Sequence, residues 1–494
     1  MLVSMFVALF MMPFVIRELG TIAYGFWVVL QSLTSYMFLL DFGVRSSLNR
    51  HLAKFHAQGE HHEANRVINT GLAVYLVVCI VIIALSCLLG LTFQSFFPIQ
   101  ELDSITIFWT VILVGSGVAL HFPAAVFGSV LTGLQRYDLM NIAQILSLSV
   151  RTGLIVFSLK LGYSLLAISW ATFFASLLNL VLLYGLATRV YSAMRLDLSL
   201  PSFSGLKLLA NHGFYAYILI GGTRVITDAG NIVVGAFVGA TAVAIYAIAS
   251  SLTTYATSVI SGISTTIPPA ASKLEAMGEY KGLQALCIRG TKFILLTGLP
   301  VLLTFILTGE TFIRLWVGED FIASYPPLVL LSLSWAFNYL QSAAACILIG
   351  LSRHKIAAWL VLVQAALNLS LSLILVRSMG MLGVAWGALM SSVVMNLVFQ
   401  VHGLRLLGIS LWSFLRQAIV PTALALIPFV VVLEFLSYSF SPTRLLTYFL
   451  HVALAIGGLL IFLPWFGLSR SERNMVWHNL NYYGISIKRI HSQL

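Results

Sequence analysis

An arginine and an aspartate four residues apart, Arg224 and Asp228, stand in the stretch GGTRVITDAGN at 221–231, inside an otherwise apolar run from about residue 213 to 236. A run of that length crosses a bilayer as a helix. A charge at that depth costs about 2.5–3.5 kcal/mol on insertion scales, so an isolated one is hard to tolerate. At a spacing of four the two side chains share a helix face and can pair. Either the pair fastens its helix to a neighbour, or it faces a polar cavity on a transport path, where intramembrane ionisable residues concentrate. Asn231 closes the same stretch and is a secondary candidate.

Other polar residues in apolar surroundings offer binding chemistry rather than catalysis. Arg151 lies near the centre of a second apolar run, 140–161, with no acidic neighbour in sequence. It either pairs with Asp228 or Asp41 from another helix or contacts a ligand. Asp41 and Arg45, again four apart, sit at the end of an apolar run, where helix-end pairing is inexpensive. Glu434 near the end of a later run reads as a snorkelling carboxylate, with a coupling role as the alternative. His51, His56, His61 and His62 do not have metal-ligand spacing and read as part of a solvated connection; His121 and His451 read as packed polar residues. The chain has no GxxxxGK[ST], GxSxG or HExxH, and its external loops reach only about fifteen residues. No catalytic residue, metal or cofactor is expected. Without a nucleotide site, transport is driven by an ion gradient, the substrate's own gradient or the membrane potential, which supplies about 2.3 kcal/mol per charge at 100 mV.

The surrounding chain is built to place such residues in a bilayer. Of 494 residues, 60% are hydrophobic and 9% charged, with a mean hydropathy of +0.98. Soluble domains carry about 25% charged residues, so this is an all-α polytopic membrane protein. Its net charge of +11 is scattered through short loops, which argues against nucleic acid as a partner. Fourteen apolar segments of spanning length recur between residues 1 and 466. With the N-terminus inside, twenty of the 27 Lys and Arg fall in cytoplasmic connections and the tail, five outside, and Arg151 and Arg224 in the membrane. Both termini are then cytoplasmic. The basic, aromatic tail at 467–494 reads as a surface-lying amphipathic helix in contact with membrane lipids.

The chain also repeats. Residues 19–36 align with 238–255 at an offset of 219, which carries Lys54 onto Lys273 and Gly59 onto Gly278. An offset of 217 carries Gly133 onto Gly350 and Arg136 onto Arg353. Segments 1–6 therefore duplicate as segments 7–12 in one orientation, a parallel-repeat plan. The expected divisions are 1–187, a linker at 188–212, 213–405, two further segments at 406–466, and the tail. Arg224 maps onto Met5, Asp228 onto Leu9 and Arg151 onto Asn368, so the charges belong to one copy only. Residue 213 maps to six positions before Met1, which predicts an incomplete start or a short first segment.

Residues 13–55, PFVIRELGTIAYGFWVVLQSLTSYMFLLDFGVRSSLNRHLAKF, resemble the opening of the Wzx-like oligosaccharide flippases of the MOP superfamily, including a D-x-G motif at Asp41-Phe42-Gly43. The stretches 225–252 and 312–335 continue the resemblance, and a 6+6+2 plan fits it. The resemblance implies a MATE-like fold with two lobes about a central cavity, working by alternating access in the bacterial cytoplasmic membrane. It implies a polyprenyl-diphosphate-linked oligosaccharide as cargo, such as an O-antigen or exopolysaccharide repeat unit, with a polysaccharide polymerase or chain-length machinery as candidate partners. Arg224 and Arg151 would line the cavity for the diphosphate, and Asp228 would orient Arg224 or couple transport. A MATE-type cation-coupled exporter of small amphiphiles is the alternative and would favour acidic cavity residues. A membrane enzyme of glycan assembly is third and would require a catalytic loop.

Overall fold

In hydrocarbon every backbone N–H and C=O must be satisfied within its own segment, so a chain this apolar folds as helices. The computed structural model describes residues 2–197, 214–469 and 472–474, and every regular element among them is helical. Most of the expected linker at 188–212 and of the tail helix at 467–494 lies outside the described residues. The helices are α1 (Leu2–Leu19), α2 (Thr21–Ser35), α3 (Val44–Gln58), α4 (His61–Phe96), α5 (Ser104–Gly133), α6 (Tyr137–Lys160), α7 (Leu165–Val190), α8 (Phe214–Phe237) and α9 (Ala240–Ser264). They continue as α10 (Ile267–Ala276), α11 (Tyr280–Trp316), α12 (Tyr325–Gly350), α13 (His354–Met379), α14 (Met381–Leu406), α15 (Leu411–Phe414), α16 (Val420–Ser439) and α17 (Leu445–Phe462). Thirteen helical stretches among the described residues are long and apolar enough to cross a membrane. With the 18-residue apolar α1, the set reaches the fourteen expected.

The duplication is written into the backbone. At an offset of 219, the first residue of α2 meets that of α9, and the first residue of α4 meets that of α11. At 217, α6 begins opposite α13, and α5 ends at Gly133 where α12 ends at Gly350. Left-handed turns recur as well: Gly59 and Gly278 have φ of 71° and 70°, and Gln135 and Ser352 have 59° and 56°. Packing follows suit. Gly133 lies against Leu52 and Gly350 against Ala271, equivalent partners that a side chain at either glycine would displace. Asn65 donates to the carbonyl of Ala193 at 2.8 Å, and its counterpart Gln284 donates to that of Leu407 at 2.9 Å. In each copy an amide on the long third membrane helix therefore holds the chain that leaves the sixth.

The chain divides into two compact units, Met1–Ser250 with His354–Ser391, and Ser251–Arg353 with Ser392–Leu494. The first is centred on Leu48, Ile68, Tyr75, Phe122 and Leu131, from α3, α4 and α5. The second is centred on Ile267, Ile294, Tyr339 and Ile347, with a separate apolar cluster of Phe429, Leu433 and Ala455 from α16 and α17. Pro123, Pro300 and Pro428 lie inside α5, α11 and α16, which run on through them.

Candidate functional site

Three hydroxyls on α2 and its continuation, Ser32, Ser35 and Tyr36, recur at helical spacing and meet the polar face of α8. The Ser35 hydroxyl donates to Asp228 Oδ2 at 2.7 Å. Arg224 Nη1 reaches the same oxygen at 3.5 Å. One turn on, Asn231 Nδ2 donates to Ser32 Oγ at 3.1 Å. At the other end the Tyr36 hydroxyl lies 3.5 Å from the Arg224 carbonyl. Glycines let α8 come close to its neighbours: a methyl at Gly222 would fall 2.7 Å from Val361 of α13, and one at Gly230 2.7 Å from the Tyr246 hydroxyl of α9.

These distances separate the roles of the two charges. Charge-assisted N–H···O bonds run at about 2.7–2.9 Å, so the Arg224 contact is loose and the Ser35 contact is tight. The Arg224 side chain is 43% exposed and that of Asp228 22% exposed, so the guanidinium lies in open space rather than in a dry ion pair. Asp228 thus fastens α8 to α2, while Arg224 is only tethered. The pairing at a spacing of four is present as expected, and the fastening runs through Ser35. The Ser35 proton has a second acceptor, the Ser32 carbonyl at 2.8 Å, so loss of charge on Asp228 gives it an alternative within its own helix.

A second polar group in the same unit surrounds Asp41. Tyr75 of α4, fully buried, donates its hydroxyl to Asp41 Oδ1. The expected helix-end pairing of Asp41 with Arg45 does not form. Asp41 ends a 3-10 turn (Tyr36–Asp41), and Phe42 and Gly43 both take left-handed backbone, with φ of 45° and 78°, before α3 begins. That break takes the two residues off a common helix. A left-handed phenylalanine costs about 1–2 kcal/mol, and the Phe42 ring stacks on Tyr217 of α8 at 5.4 Å. Arg45 and Arg151 both lie close enough to His121 of α5 to act on its ring electrostatically. Arg151 is exposed on α6, and among the described residues it makes no ion pair with Asp228 or Asp41. No hydrogen bond or ion pair joins the Asp41 group to the Arg224 group among the described residues. Glu434 is exposed near the end of α16. Among the described residues no group of three His, Cys, Asp or Glu could hold a metal ion.

Sequence reasoning missed Ser32, Ser35, Tyr36 and Tyr75. The available signal was the spacing of the first three on one face of an apolar segment. Their partners lie almost two hundred residues away in sequence, a separation that no local pattern reports.

The polysaccharide biosynthesis protein family matches residues 1–275, and the MatE family matches residues 225–374. No protein of curated function matches the sequence. Among solved structures, lipid II flippase MurJ in an inward closed conformation is similar, with a TM-score of 0.72 at 14% identity, covering 93% of this chain and 96% of that one. An inward-facing multidrug resistance MATE family transporter of the MOP superfamily gives a TM-score of 0.71 at 14% identity, over 81% of this chain and 94% of its own. A MOP superfamily transporter from Pyrococcus furiosus, described as having a binding pocket of reverse polarity, gives 0.58 at 15% identity over 82% and 95%. At these identities the likeness is one of fold, and the fold is MATE-like.

Proposed function

The chain belongs to the polysaccharide biosynthesis protein family, and from that membership we propose that it flips a polyprenyl-diphosphate-linked oligosaccharide from the inner to the outer leaflet of the bacterial cytoplasmic membrane. The carrying observation is Arg224, placed in the middle of a membrane-length helix, half exposed, and held only at 3.5 Å by an aspartate that Ser35 anchors. Guanidinium presents a planar fork that matches phosphate oxygens, and a diphosphate offers several acceptors. In the empty protein Asp228 restrains Arg224; an arriving diphosphate competes for it, and Asp228 stays on α2 through Ser35. Arg151 supplies a second cation from α6. Protonation of Asp228 would return the Ser35 proton to the Ser32 carbonyl and loosen the α2–α8 seam, which supports a coupling role for the same carboxylate. On this reading residues 1–187 and 213–405 act as the two lobes of an alternating-access transporter with both termini cytoplasmic, and the exported unit passes to a glycan polymerase.

The test replaces Arg224 and Arg151 singly by alanine and measures delivery of glycan to the cell surface beside the amount of protein in the membrane. Loss of delivery at normal protein level is expected for Arg224→Ala. Full delivery by both variants would remove these arginines from the mechanism.

A second reading, a cation-coupled exporter of small amphiphiles, is favoured by the MatE match at 225–374 and by an intramembrane carboxylate, Asp228, that accepts from a hydroxyl. Uptake of a cationic dye into inverted vesicles, lost in Asp228→Asn but kept in Arg224→Ala, would select it.

A further inference from the structure

The second unit contains a basic cavity that the proposed transport does not use. It has a volume of about 460 Å³ and is lined by Arg289 and Lys292 of α11, by Arg416 and Gln417, by Phe466, and by Glu472. Glu472 is 4% exposed and Lys292 3%, and they pair at 2.5 Å. Ser469 N–H donates to the same carboxylate oxygen at 2.8 Å, and Arg289 Nε lies 3.9 Å from the other. Against three basic side chains, Arg289, Lys292 and Arg416, the lining carries one acidic one, Glu472, so positive charge is in excess. Arg416 is exposed and makes no ion pair among the described residues.

Two features place this cavity at the level of lipid headgroups. Trp412 and Trp465 are 74% and 76% exposed, one turn before Arg416 and next to Phe466. Exposed tryptophans at the ends of membrane helices settle at the interface. The flanking backbone is also unusual: Leu415–Ile419 and Leu463–Gly467 are both π-turns, and both contribute to the cavity wall. Such turns are rare and concentrate at functional sites. Here they widen the ends of α16 and α17 beside the basic residues.

We propose that this cavity binds the headgroup of an anionic phospholipid from the cytoplasmic leaflet. A phosphodiester would be held by Arg289 and Arg416, with Gln417 available to its glycerol hydroxyls and Phe466 against the start of its chains. The charge asymmetry of the loops puts this end of the helices on the cytoplasmic side, where basic pockets between membrane helices take anionic headgroups. Residues 475–494 carry Lys488 and Arg489 and no acidic side chain, so their charge does not complement the cavity. A lipid-linked oligosaccharide does not fit either, since several sugars on a diphosphate exceed a volume suited to one headgroup. The inference is independent of the cargo assigned above.

The experiment uses the full chain in phosphatidylcholine vesicles with and without a minor fraction of phosphatidylglycerol, reading thermal unfolding there and retained lipid by native mass spectrometry. The wild-type protein is expected to retain phosphatidylglycerol and unfold at a higher temperature in its presence. Arg289→Gln and Arg416→Gln should each weaken retention about fivefold, while Arg416→Lys keeps most of it. Equal unfolding of the variants and wild type in pure phosphatidylcholine shows intact folding; if a glutamine variant fails that control, Gln417→Ala and Arg416→Lys carry the comparison. Undiminished retention by the folded glutamine variants overturns the proposal. So does competition by soluble glycerol phosphate as strong as by whole lipid, which would mark a site for free anions. Displacement by a polyprenyl diphosphate at lower concentration than by phosphatidylglycerol overturns it in favour of a cargo site.

Discussion

Ser35 of α2 donates a 2.7 Å hydrogen bond to the Asp228 oxygen that Arg224, on the same helix as Asp228, reaches only at 3.5 Å. The carboxylate is therefore held across helices more firmly than along its own. Hydrogen bonds to charged groups contribute about 1.5–3 kcal/mol. Ser35→Ala should leave Asp228 to Arg224 alone, draw the guanidinium inward and slow transport about tenfold or more, with protein level unchanged. Asp228→Asn should lower transport too, and the double variant should lose less than the sum, because both remove one contact. Additive losses in a double-mutant cycle of transport rates would show that the two residues act separately.

Arg224→Lys separates charge from geometry. Lysine keeps the charge but not the planar fork, so a diphosphate would lose one of two parallel bonds. Transport should fall to an intermediate level, between wild type and Arg224→Ala, in a vesicle flipping assay. A lysine variant as active as wild type would mean that Arg224 supplies only field.

How far the sequence disclosed all this depended on whether a feature was local. The number of spanning helices and the duplication were legible because apolar length and the 219 and 217 offsets are properties of the chain alone. The Arg224–Asp228 pairing was legible because one helix turn brings the two residues together. The same rule failed at Asp41 and Arg45, since the left-handed Phe42-Gly43 break takes them off a common helix and gives Asp41 to Tyr75. Ser35 and Tyr75 were invisible as partners because contacts between helices depend on packing. Glycines such as Gly222, which set how closely helices approach, carry no polar signal at all.

Tyr75→Phe tests the Asp41 group. The ring is fully buried and the change is nearly isosteric, so the loss is confined to one hydroxyl. Leaving a carboxylate without its donor costs about 1–3 kcal/mol. The variant should unfold at a lower temperature in detergent, and Asp41→Asn in the Tyr75→Phe background should restore part of the loss. An unchanged unfolding temperature would mean that water replaces the hydroxyl.

The Lys292–Glu472 pair gives the second unit a pH dependence outside the membrane. Burial by itself would raise the Glu472 carboxyl, but the Lys292 ammonium and the Ser469 N–H more than offset it and hold the group below its usual range. A folded-state value below the unfolded one stabilises the docked segment above the unfolded value of about 4.3. That contribution is lost as pH falls through the lower folded value. Measured against the intrinsic rate at each pH, hydrogen exchange at Leu468, Ser469 and Glu472–Asn474 should therefore be slow at neutral pH and faster below about pH 4. Glu472→Gln should accelerate it at neutral pH, since breaking a buried pair leaves Lys292 without its anion at a cost of about 3–5 kcal/mol. Equal protection at all pH values in both proteins would show that the pair does not hold the segment.

The two copies share a close-packed glycine at the end of one helix. Gly350 and Gly133 occupy equivalent helix ends, but an added methyl meets different obstacles. At Gly350 it would fall 2.5 Å from the Pro268 carbonyl oxygen and 2.9 Å from Ala271 Cβ. At Gly133 the nearest atom is Leu52 Cβ at 3.0 Å, with the Ala53 backbone nitrogen at 3.3 Å. The overlap at Gly350 is the deeper one and falls on the backbone of a short helix pinned by Pro268 and Pro269, whereas the contacts at Gly133 ask α3 to shift by only a few tenths of an ångström. Overpacking a tight contact costs about 1–3 kcal/mol, and Gly350→Ala should lie at the upper end of that range or beyond, with Gly133→Ala at the lower. Thermal unfolding of the two variants under the same conditions checks the order. The reverse order would mean that α10 moves more readily than α3, and that equivalent positions in the two copies are held by different restraints.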